Sequence, residues 1–559
     1  MKPIKIAAAV LNQTPLDWDG NLQRTLDAMD QARREDVRLL CLPELCISGY
    51  GCEDSFFCST VQQISQTLLM EIAEKSQGLV VAVGLPLWHG GNLYNMAALI
   101  ADGKLAGLVG KQNLAREGIH YETRWFSPWP AGLVSHTQIS EVDYPIGDLV
   151  FEVGGIRIGF EICRDAWVAQ RPGSSLAREA VDLILNPSAS HFAFGKHATR
   201  QRFVLEGSRA FHVGYIYTNL LGNEAGRAIY DGDTMIASCG KLLAKGDRFS
   251  FGDSRMVSAV LDIEEARMLR AQWSDAAPSD HKSDRVVQVP FVFEPTSVEL
   301  TQPCEADWET GESLRLEEFT RAVALGLFDY LRKSHSKGFV VSLSGGADST
   351  ATSLLCRIAI ELAMADLGAD GLHERLKHID GIKECQTASQ FAKRLITCVY
   401  QAAENSSIKT RDAAQCVADE IGARFLEFDI SGVVDQYLNI ATESLRRGAV
   451  HVEPGWCKPV QEIRGEAFGT ERDIRSLLLE FADPPNKIPR RKVVRRKSIE
   501  TNQCCARLCS QLEFCKCRLP LLWTANIKWR RWQRVKGRRV QHRMPPPQPP
   551  LQSRSSLDS

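Results

Sequence analysis

The chain has 559 residues, 44% of them hydrophobic and 24% charged, enough for two to four packed domains and too large for a small disulfide-stapled scaffold. Its formal net charge of −1 selects no class of partner, but it conceals an imbalance: from Lys487 to Ser559 there are nineteen Lys and Arg against three acids. Seventeen cysteines with no secretory leader imply reduced thiols and a cytoplasmic protein, and no apolar run is long enough for a membrane span.

In chain order, residues 4–11 read as a buried strand. Asn21 to Arg34 reads as a helix with Leu22, Leu26 and Met29 on one face. A second strand, Val37 to Leu42, runs into Pro43-Glu44-Leu45-Cys46, so that a carboxylate stands at a strand's C-terminal end, where a rigid element aims a side chain that the loop leaves accessible. Strands follow at Leu79–Pro86 and Tyr94–Ile100, and another leads to Lys111 and then to Tyr121-Glu122-Thr123-Arg124-Trp125-Phe126. The strand Ile156–Ile162 closes on Cys163-Arg164-Asp165. Further strands at Val213–Asn219, Thr234–Ala237 and Met256–Leu261 complete a layered α/β domain over residues 1–270.

Three strand ends that carry a Glu, a Lys and a Cys in this order resemble the nitrilase, or carbon–nitrogen hydrolase, superfamily, and especially its glutaminase branch. The resemblance implies an αββα sandwich with Cys163 as nucleophile, Glu44 as general base, Lys111 as stabiliser of the tetrahedral intermediate and Glu122 as a supporting acid. The chemistry is sensible on its own terms. A neighbouring Lys⁺ lowers a thiol's pKa, and a carboxylate accepts its proton. Asn186-Pro187-Ser188-Ala189-Ser190, followed by Lys196 and Arg200, resembles the glutamine-holding segment of that branch, which places Tyr121, Ser188, Ser190 and Lys196 with glutamine.

Residues 271–312 are polar and Pro-bearing with one apolar run, Val286 to Phe293, and read as an ordered linker. A long amphipathic helix, Leu316 to Lys333, then leads to a short buried strand and Ser344-Gly345-Gly346-Ala347-Asp348-Ser349, with helical spacing from Thr350. Two glycines between strand and helix let a phosphate approach the helix N-terminus, and Asp348 is a carboxylate suited to Mg²⁺. The loop lacks the lysine of a Walker motif. A strand at Ile396–Tyr400 ends in a segment with Ser406 and Ser407. Helix, strand and helix follow to Arg446, an alternation that implies a parallel doubly wound sheet with the nucleotide at its strand C-termini.

Ser344 to Ser349 resembles the SGGxDS pyrophosphate loop of ATP pyrophosphatases. With the glutaminase-type domain upstream, the whole resembles the glutamine-dependent NAD⁺ synthetases. That resemblance implies ATP bound by Ser344, Gly345, Gly346, Ala347, Asp348, Ser349 and Ser406, Mg²⁺ on Asp348, and glutamine and deamido-NAD⁺ as further substrates. It also implies ammonia passing between the sites and a homo-oligomer. A partial synthetase domain over 313–485 is expected, because the later Thr-Ser-Asn and Gly-Asp signatures are missing. Residues 486–559 have three readings: a basic nucleic-acid arm with Trp523, Trp529 and Trp532, a zinc site of Cys504, Cys505, Cys509, Cys515 and Cys517, or out-of-frame translation. The last is favoured, with nucleic acid not expected as a partner and glutamine hydrolysis as the surviving chemistry.

Overall fold

The computed structural model describes residues 3–446 apart from 225, 274–283, 295, 298–302, 304 and 405. The basic tail, with its cysteines and tryptophans, and the expected boundary near 485 lie outside the described residues.

Residues 3–289 supply two sheets. The strands of the first are β1 (Pro3–Leu11), β2 (Leu39–Cys41), β3 (Val80–His89), β4 (Asn92–Ala101), β5 (Lys104–Gly110), β6 (Val134–Ile139), β7 (Val142–Gly147) and β16 (Ser254–Asp262), in the order β16-β1-β2-β3-β4-β5-β7-β6. The second contains β8 (Val150–Val153), β9 (Ile156–Phe160), β10 (Leu183–Ser188), β11 (Gly214–Asn219), β14 (Thr234–Ser238), β15 (Lys241–Lys245) and β17 (Val286–Val289), in the order β15-β14-β11-β10-β9-β8-β17. A hairpin of β12 (Leu221–Glu224) and β13 (Ala228–Asp231) stands apart. The apolar run assigned to the linker therefore supplies β17, an edge strand parallel to β8.

These strands are apolar on both faces because both faces are covered. On β1, Ile4, Ile6 and Ala8 meet Phe151, Ile158 and Leu183 of the facing sheet. Ala7, Ala9 and Leu11 on its other face pack with Ala28 and Met29 of α1 (Trp18–Arg34) and with Leu69 and Ile72 of α2 (Ser59–Glu74). Asp17 caps α1 by accepting the Gly20 N–H at 3.3 Å. A short α3 (Glu122–Trp125) lies near the site, and α4 (Gly173–Arg178) and α5 (Lys196–Phe211) cover the second sheet through Leu176 and Val204. The result is the αββα sandwich that the resemblance implies, closed by α6 (Ile263–Trp273).

The second domain follows α7 (Asp307–Thr310). It comprises α8 (Leu314–Lys333), β18 (Phe339–Ser342), α9 (Ala347–Arg375), α10 (Ala388–Leu395), β19 (Ile396–Ala402), α11 (Ile408–Glu420), β20 (Arg424–Asp429) and α12 (Ser431–Arg446). Its three strands are parallel in the order β18-β19-β20. Val341 faces the core, whereas Val340 is 77% exposed and Leu426 and Phe428 are exposed too. One face of the sheet is thus uncovered by the described residues, where the sequence predicts a strand buried on both faces.

The domains share a core: Val10, Leu221, Phe249 and Phe251 of the first pack with Leu325, Phe328 and Leu331 of α8. Polar contacts fix the register. Buried Asp329 accepts from the Asn12 side chain at 3.0 Å and the Asn223 N–H at 2.7 Å, while Lys333 Nζ donates to the Gln13 and Asn223 carbonyls at 2.8 and 3.0 Å.

Candidate active site

Glu44 follows β2, Lys111 follows β5, Glu122 opens α3, and Cys163 follows β9, so each candidate leaves a rigid element. The strand ends bring them together between the two sheets. Gly84 on β3 permits the close fit: a Cβ there would lie 2.2 Å from the Leu45 nitrogen, so a side chain would push the Glu44 loop away. Cys163 has a φ of +47°, a sparsely populated conformation for a non-glycine residue and a form of strain that accumulates at functional sites.

Lys111 is the hub. Its ammonium lies 2.5 Å from Glu44 Oε1 and 2.7 Å from Glu122 Oε1, and Lys111, Glu44 and Glu122 are each 1% exposed. The remaining carboxylate capacity is used by neutral donors. Glu44 accepts from Asn95 Nδ2 at 2.8 Å and from the Ala189 N–H at 2.8 Å. Glu122 accepts from the Tyr50 hydroxyl at 2.7 Å and from the Ala115 N–H at 2.8 Å. Burial opposes the charge on Lys111, but Glu122 and Glu44 outweigh it and hold its pKa above the ordinary value. Burial raises Glu44, reinforced by Glu122 and opposed by Lys111 and Asn95, which makes it a stronger base than a solvated carboxylate.

The thiol departs from expectation. Burial and the Glu44 charge push Cys163 up to about 12, against the downward pull of Lys111, so the sulfur is a neutral thiol rather than a preformed thiolate. The reason is that Lys111 is already shared between two carboxylates, which leaves little net positive field for the sulfur. Glu44, a carboxylate with a raised pKa whose charge acts on the sulfur, is suited to accept a thiol proton.

The four expected glutamine contacts have different surroundings. Ser188 is buried and donates to Asn186 Oδ1 at 2.7 Å. Ser190 Oγ accepts from Arg200 at 3.1 Å, and its N–H donates to Asn219 Oδ1 at 2.8 Å. Arg200, fully buried and paired with Asp231 at 2.6 Å, anchors this loop. Tyr121 is exposed, with the Arg227 guanidinium 5.9 Å from its ring, and Lys196 is half-buried beside His191.

Residues with no assigned role in the sequence reading complete the site. Asp165 accepts from the Asn113 N–H at 2.8 Å and the Ile162 N–H at 2.9 Å, tying the Cys163 turn to the Lys111 loop; burial pushes its pKa up to about 7. Asn95 and Tyr50 hold the two glutamates, and His120 and His191 extend outward from Tyr50. For Asp165 the signal was its position two residues after Cys163. Tyr50, His120 and His191 had none, because they meet only in the fold.

In the second domain the loop after β18 and the loop after β19 lie side by side at strand C-termini. Ser344 and Ser349 hydroxyls approach to 3.2 Å, and Ser344 Oγ accepts weakly from the Gly346 N–H at 3.4 Å. Gly345 has a φ of +73°, and a Cβ there would meet the Thr410 carbonyl at 2.8 Å. Helix α9 begins at Ala347, three residues before the expected start, which sets Asp348 in its first turn. Ser406 is exposed and its Oγ accepts from the Ala403 N–H at 2.9 Å. Among the described residues no group of three or more His, Cys, Asp or Glu could hold a metal ion by itself. A lone carboxylate beside a phosphate loop fits a Mg²⁺ that is coordinated mainly by nucleotide phosphates.

Fold and site together define a carbon–nitrogen hydrolase sandwich joined to a nucleotide-binding α/β domain. The Carbon-nitrogen hydrolase family matches residues 5–271, and the NAD synthase family matches residues 319–451. A crystal structure of a glutamine-dependent NAD(+) synthetase from Cytophaga hutchinsonii is 36% identical, with a TM-score of 0.65 over 79% of this chain and 68% of its own. The chain belongs to the glutamine-dependent NAD(+) synthetase family. The Homo sapiens glutamine-dependent NAD(+) synthetase is 30% identical over 462 residues, 78% of this chain. The chain spans 64% of the length of that relative and of the counterpart from Saccharomyces cerevisiae. The same fold occurs in the Acinetobacter baumannii enzyme, at 21% identity and a TM-score of 0.57.

Proposed function

We propose that the first domain hydrolyses glutamine at Cys163 and that the second uses the ammonia to convert deamido-NAD⁺ to NAD⁺ at the expense of ATP, which becomes AMP and pyrophosphate. The observation that carries this reading is the closed Glu44–Lys111–Glu122 cluster beside a strained Cys163, in one chain with an SGGADS loop. Glu44 removes the thiol proton as Sγ attacks the amide carbon, and Lys111 offsets the oxyanion charge. Loss of such a stabilising donor costs about 3–4 kcal/mol at the transition state. The proton returns through Glu44 to the departing nitrogen, and the thioester is then hydrolysed by water that Glu44 activates. Tyr121, Ser188, Ser190 and Lys196 are proposed to hold glutamine, the two serines by shaping the loop whose Ala189 N–H binds Glu44.

In the second domain Ser344 to Ser349 and Ser406 would receive ATP, with Asp348 on its Mg²⁺, a cation that would neutralise phosphate charge. Among the described residues no helix is long and apolar enough to cross a membrane. A cytoplasmic location and a homo-oligomer complete the proposal. A second reading, hydrolysis of glutamine without NAD⁺ synthesis, is favoured by the uncovered face of the β18–β20 sheet. One experiment separates them: incubation with deamido-NAD⁺, Mg·ATP and either glutamine or ammonium. Glutamate and NAD⁺ formation support the full reaction, glutamate alone supports the second reading, and neither overturns both.

A further inference from the structure

Cys163 and Lys111 belong to opposite sheets of the sandwich: Lys111 follows β5 of the first sheet, and Cys163 follows β9 of the second. Strand ladders fix each residue within its own sheet, but the separation of Sγ from Nζ is a distance between sheets, and no ladder sets it. Glutamine hydrolysis, the reading on which this inference rests, needs that distance held. Reacting and stabilising groups have to stay within about 0.5 Å of their productive places, and a misplacement of about 1 Å costs about a hundredfold in rate.

On its N-terminal side the Cys163 turn is fastened to its own sheet. Buried Glu161 accepts from the Gly173 N–H at 2.7 Å, from Arg171 Nε at 2.9 Å and from the Tyr215 hydroxyl at 2.7 Å, and Tyr215 lies on β11 of the same sheet. On its C-terminal side Asp165 reaches across to the first sheet. Its Oδ1 accepts the Asn113 N–H at 2.8 Å and Asn113 Nδ2 at 2.9 Å, two residues after Lys111. Its Oδ2 accepts the Ile162 N–H at 2.9 Å, while its own N–H donates to the Ile162 carbonyl at 3.1 Å. The last two bonds close a ring around Cys163, whose φ is +47°. Left-handed backbone at a cysteine persists only where its surroundings over-determine it. Here one carboxylate, 2% exposed, supplies both the ring and the tie between the sheets.

We propose that Asp165 is a positioning residue for glutamine hydrolysis, a clamp that holds the strained Cys163 turn against the Lys111 loop and so sets the sulfur's place relative to the ammonium. The role requires a carboxylate, because all three partners are donors and only an acceptor on each side satisfies them. An amide of the same shape fails. With its oxygen towards Asn113, its NH₂ meets the Ile162 N–H; turned over, it meets both Asn113 donors. A second hydrogen bond across the sheets, from the Ala189 N–H to Glu44 Oε2, uses a carboxylate that the proposed reaction protonates, whereas Asp165 stays outside the chemistry.

The test has two arms on the full chain at pH 8, where Asp165, pushed up by burial to about 7, is predominantly ionised. In the first, hydrogen exchange followed by mass spectrometry should quicken over residues 160–166 and 111–115 in Asp165→Asn, relative to β1 and α5. Unchanged exchange over 111–115 would show that Asp165 ties only its own turn and would overturn the clamp, whether or not the chain hydrolyses glutamine.

In the second arm, kcat for glutamine hydrolysis per folded molecule should fall about tenfold to a hundredfold in Asp165→Asn, with KM changed less than about twofold. An unchanged kcat, or a loss confined to KM, would show a merely structural or glutamine-binding role and overturn the proposal. Asn113→Ala, at a half-buried position, should lower kcat by a smaller factor, and the double variant should be no slower than Asp165→Asn alone. Losses that multiply would place the two residues in independent roles and overturn the clamp. If Asp165→Asn does not fold, Asn113→Ala decides by the same two readouts. Absence of hydrolysis by the unaltered chain would instead bring down the glutaminase reading, and the exchange arm would still judge the clamp.

Discussion

The two sites of this chain are built in opposite ways. Around Lys111 every carboxylate oxygen of Glu44 and Glu122 has a protein partner, and the cluster is out of contact with solvent. Around Ser344 the loop is largely exposed, the hydrogen bonds of Ser344 are long, at 3.2 and 3.4 Å, and Ser344, Gly346 and Asp348 face water. The difference fits what each is proposed to stabilise. A charge that develops during a reaction is best met by groups already fixed and dry, whereas a nucleotide brings its own charge and metal and is met by a loop with N–H groups and hydroxyls to spare. Substitutions among Glu44, Lys111 and Glu122 should therefore damage fold and chemistry together, and those in the second site ligand binding alone.

The largest effect is expected from Cys163→Ala. It removes the only proposed nucleophile and one small side chain, so glutamine hydrolysis should fall by at least about a thousandfold while the melting temperature changes little. Glutamate release at the parent rate would break the assignment. Next comes Lys111→Met, which strands two carboxylates in a dry core. Breaking a buried ion pair in this way costs about 3–5 kcal/mol, and hydrolysis should be lost as well. The pH dependence has a definite sign. Without Lys111 the burial that already raises Glu44 loses its main opponent, so the folded-state pKa of Glu44 moves further above its unfolded value, and the variant loses stability as pH climbs from about 4 towards that raised value and recovers it on acidification. Denaturant titrations at pH 4.5 and 7.5 measure this, and equal destabilisation at both would refute the electrostatic account.

The same contrast explains what could be read in advance. Glu44, Lys111 and Cys163 were legible because each ends a short apolar run, and the SGGADS loop because glycine, hydroxyl and carboxylate sit within six consecutive residues. The thiol's high pKa was not legible, since it depends on Lys111 dividing its charge between Glu44 and Glu122, a fact of packing. Nor was β17: the run Val286–Phe293 is apolar enough for a strand, but only a long-range partner, β8, decides that it joins a sheet. Ser188 and Ser190 stood in the expected segment, yet their hydroxyls are committed to Asn186 and Arg200, because β10 and α5 enclose them.

A subtler consequence concerns the resting thiol. With its pKa pushed up to about 12, Cys163 should react with a small neutral reagent such as methyl methanethiosulfonate at a rate that rises about tenfold per pH unit between pH 7 and 10. Mass spectrometry of the Cys163 peptide follows this without interference from exposed Cys58 and Cys416. A plateau below pH 8 would mean a preformed thiolate and a stronger Lys111 field than the geometry supports.

The smallest structural effect, and the sharpest statement of the contrast, belongs to Asp348→Asn. Asp348 lies in the first turn of α9 and is exposed, and the change preserves its shape. Stability should shift by no more than about 0.5 kcal/mol, as for an ordinary surface substitution. Mg·ATP affinity should nevertheless fall about tenfold, because the only carboxylate of the loop is the metal's proposed protein ligand, while ATP without Mg²⁺ should bind the variant no worse than the parent. Glutamine hydrolysis measured without ATP should be unchanged, since the loop and the Lys111 cluster share no residue. Calorimetric titration of both nucleotide forms, alongside a glutaminase assay, checks all three expectations on one preparation. A drop in hydrolysis as large as the drop in Mg·ATP affinity would show that the two sites are coupled through α8 and its Asp329 and Lys333 contacts, and that the division between a closed and an open site is not a division of labour.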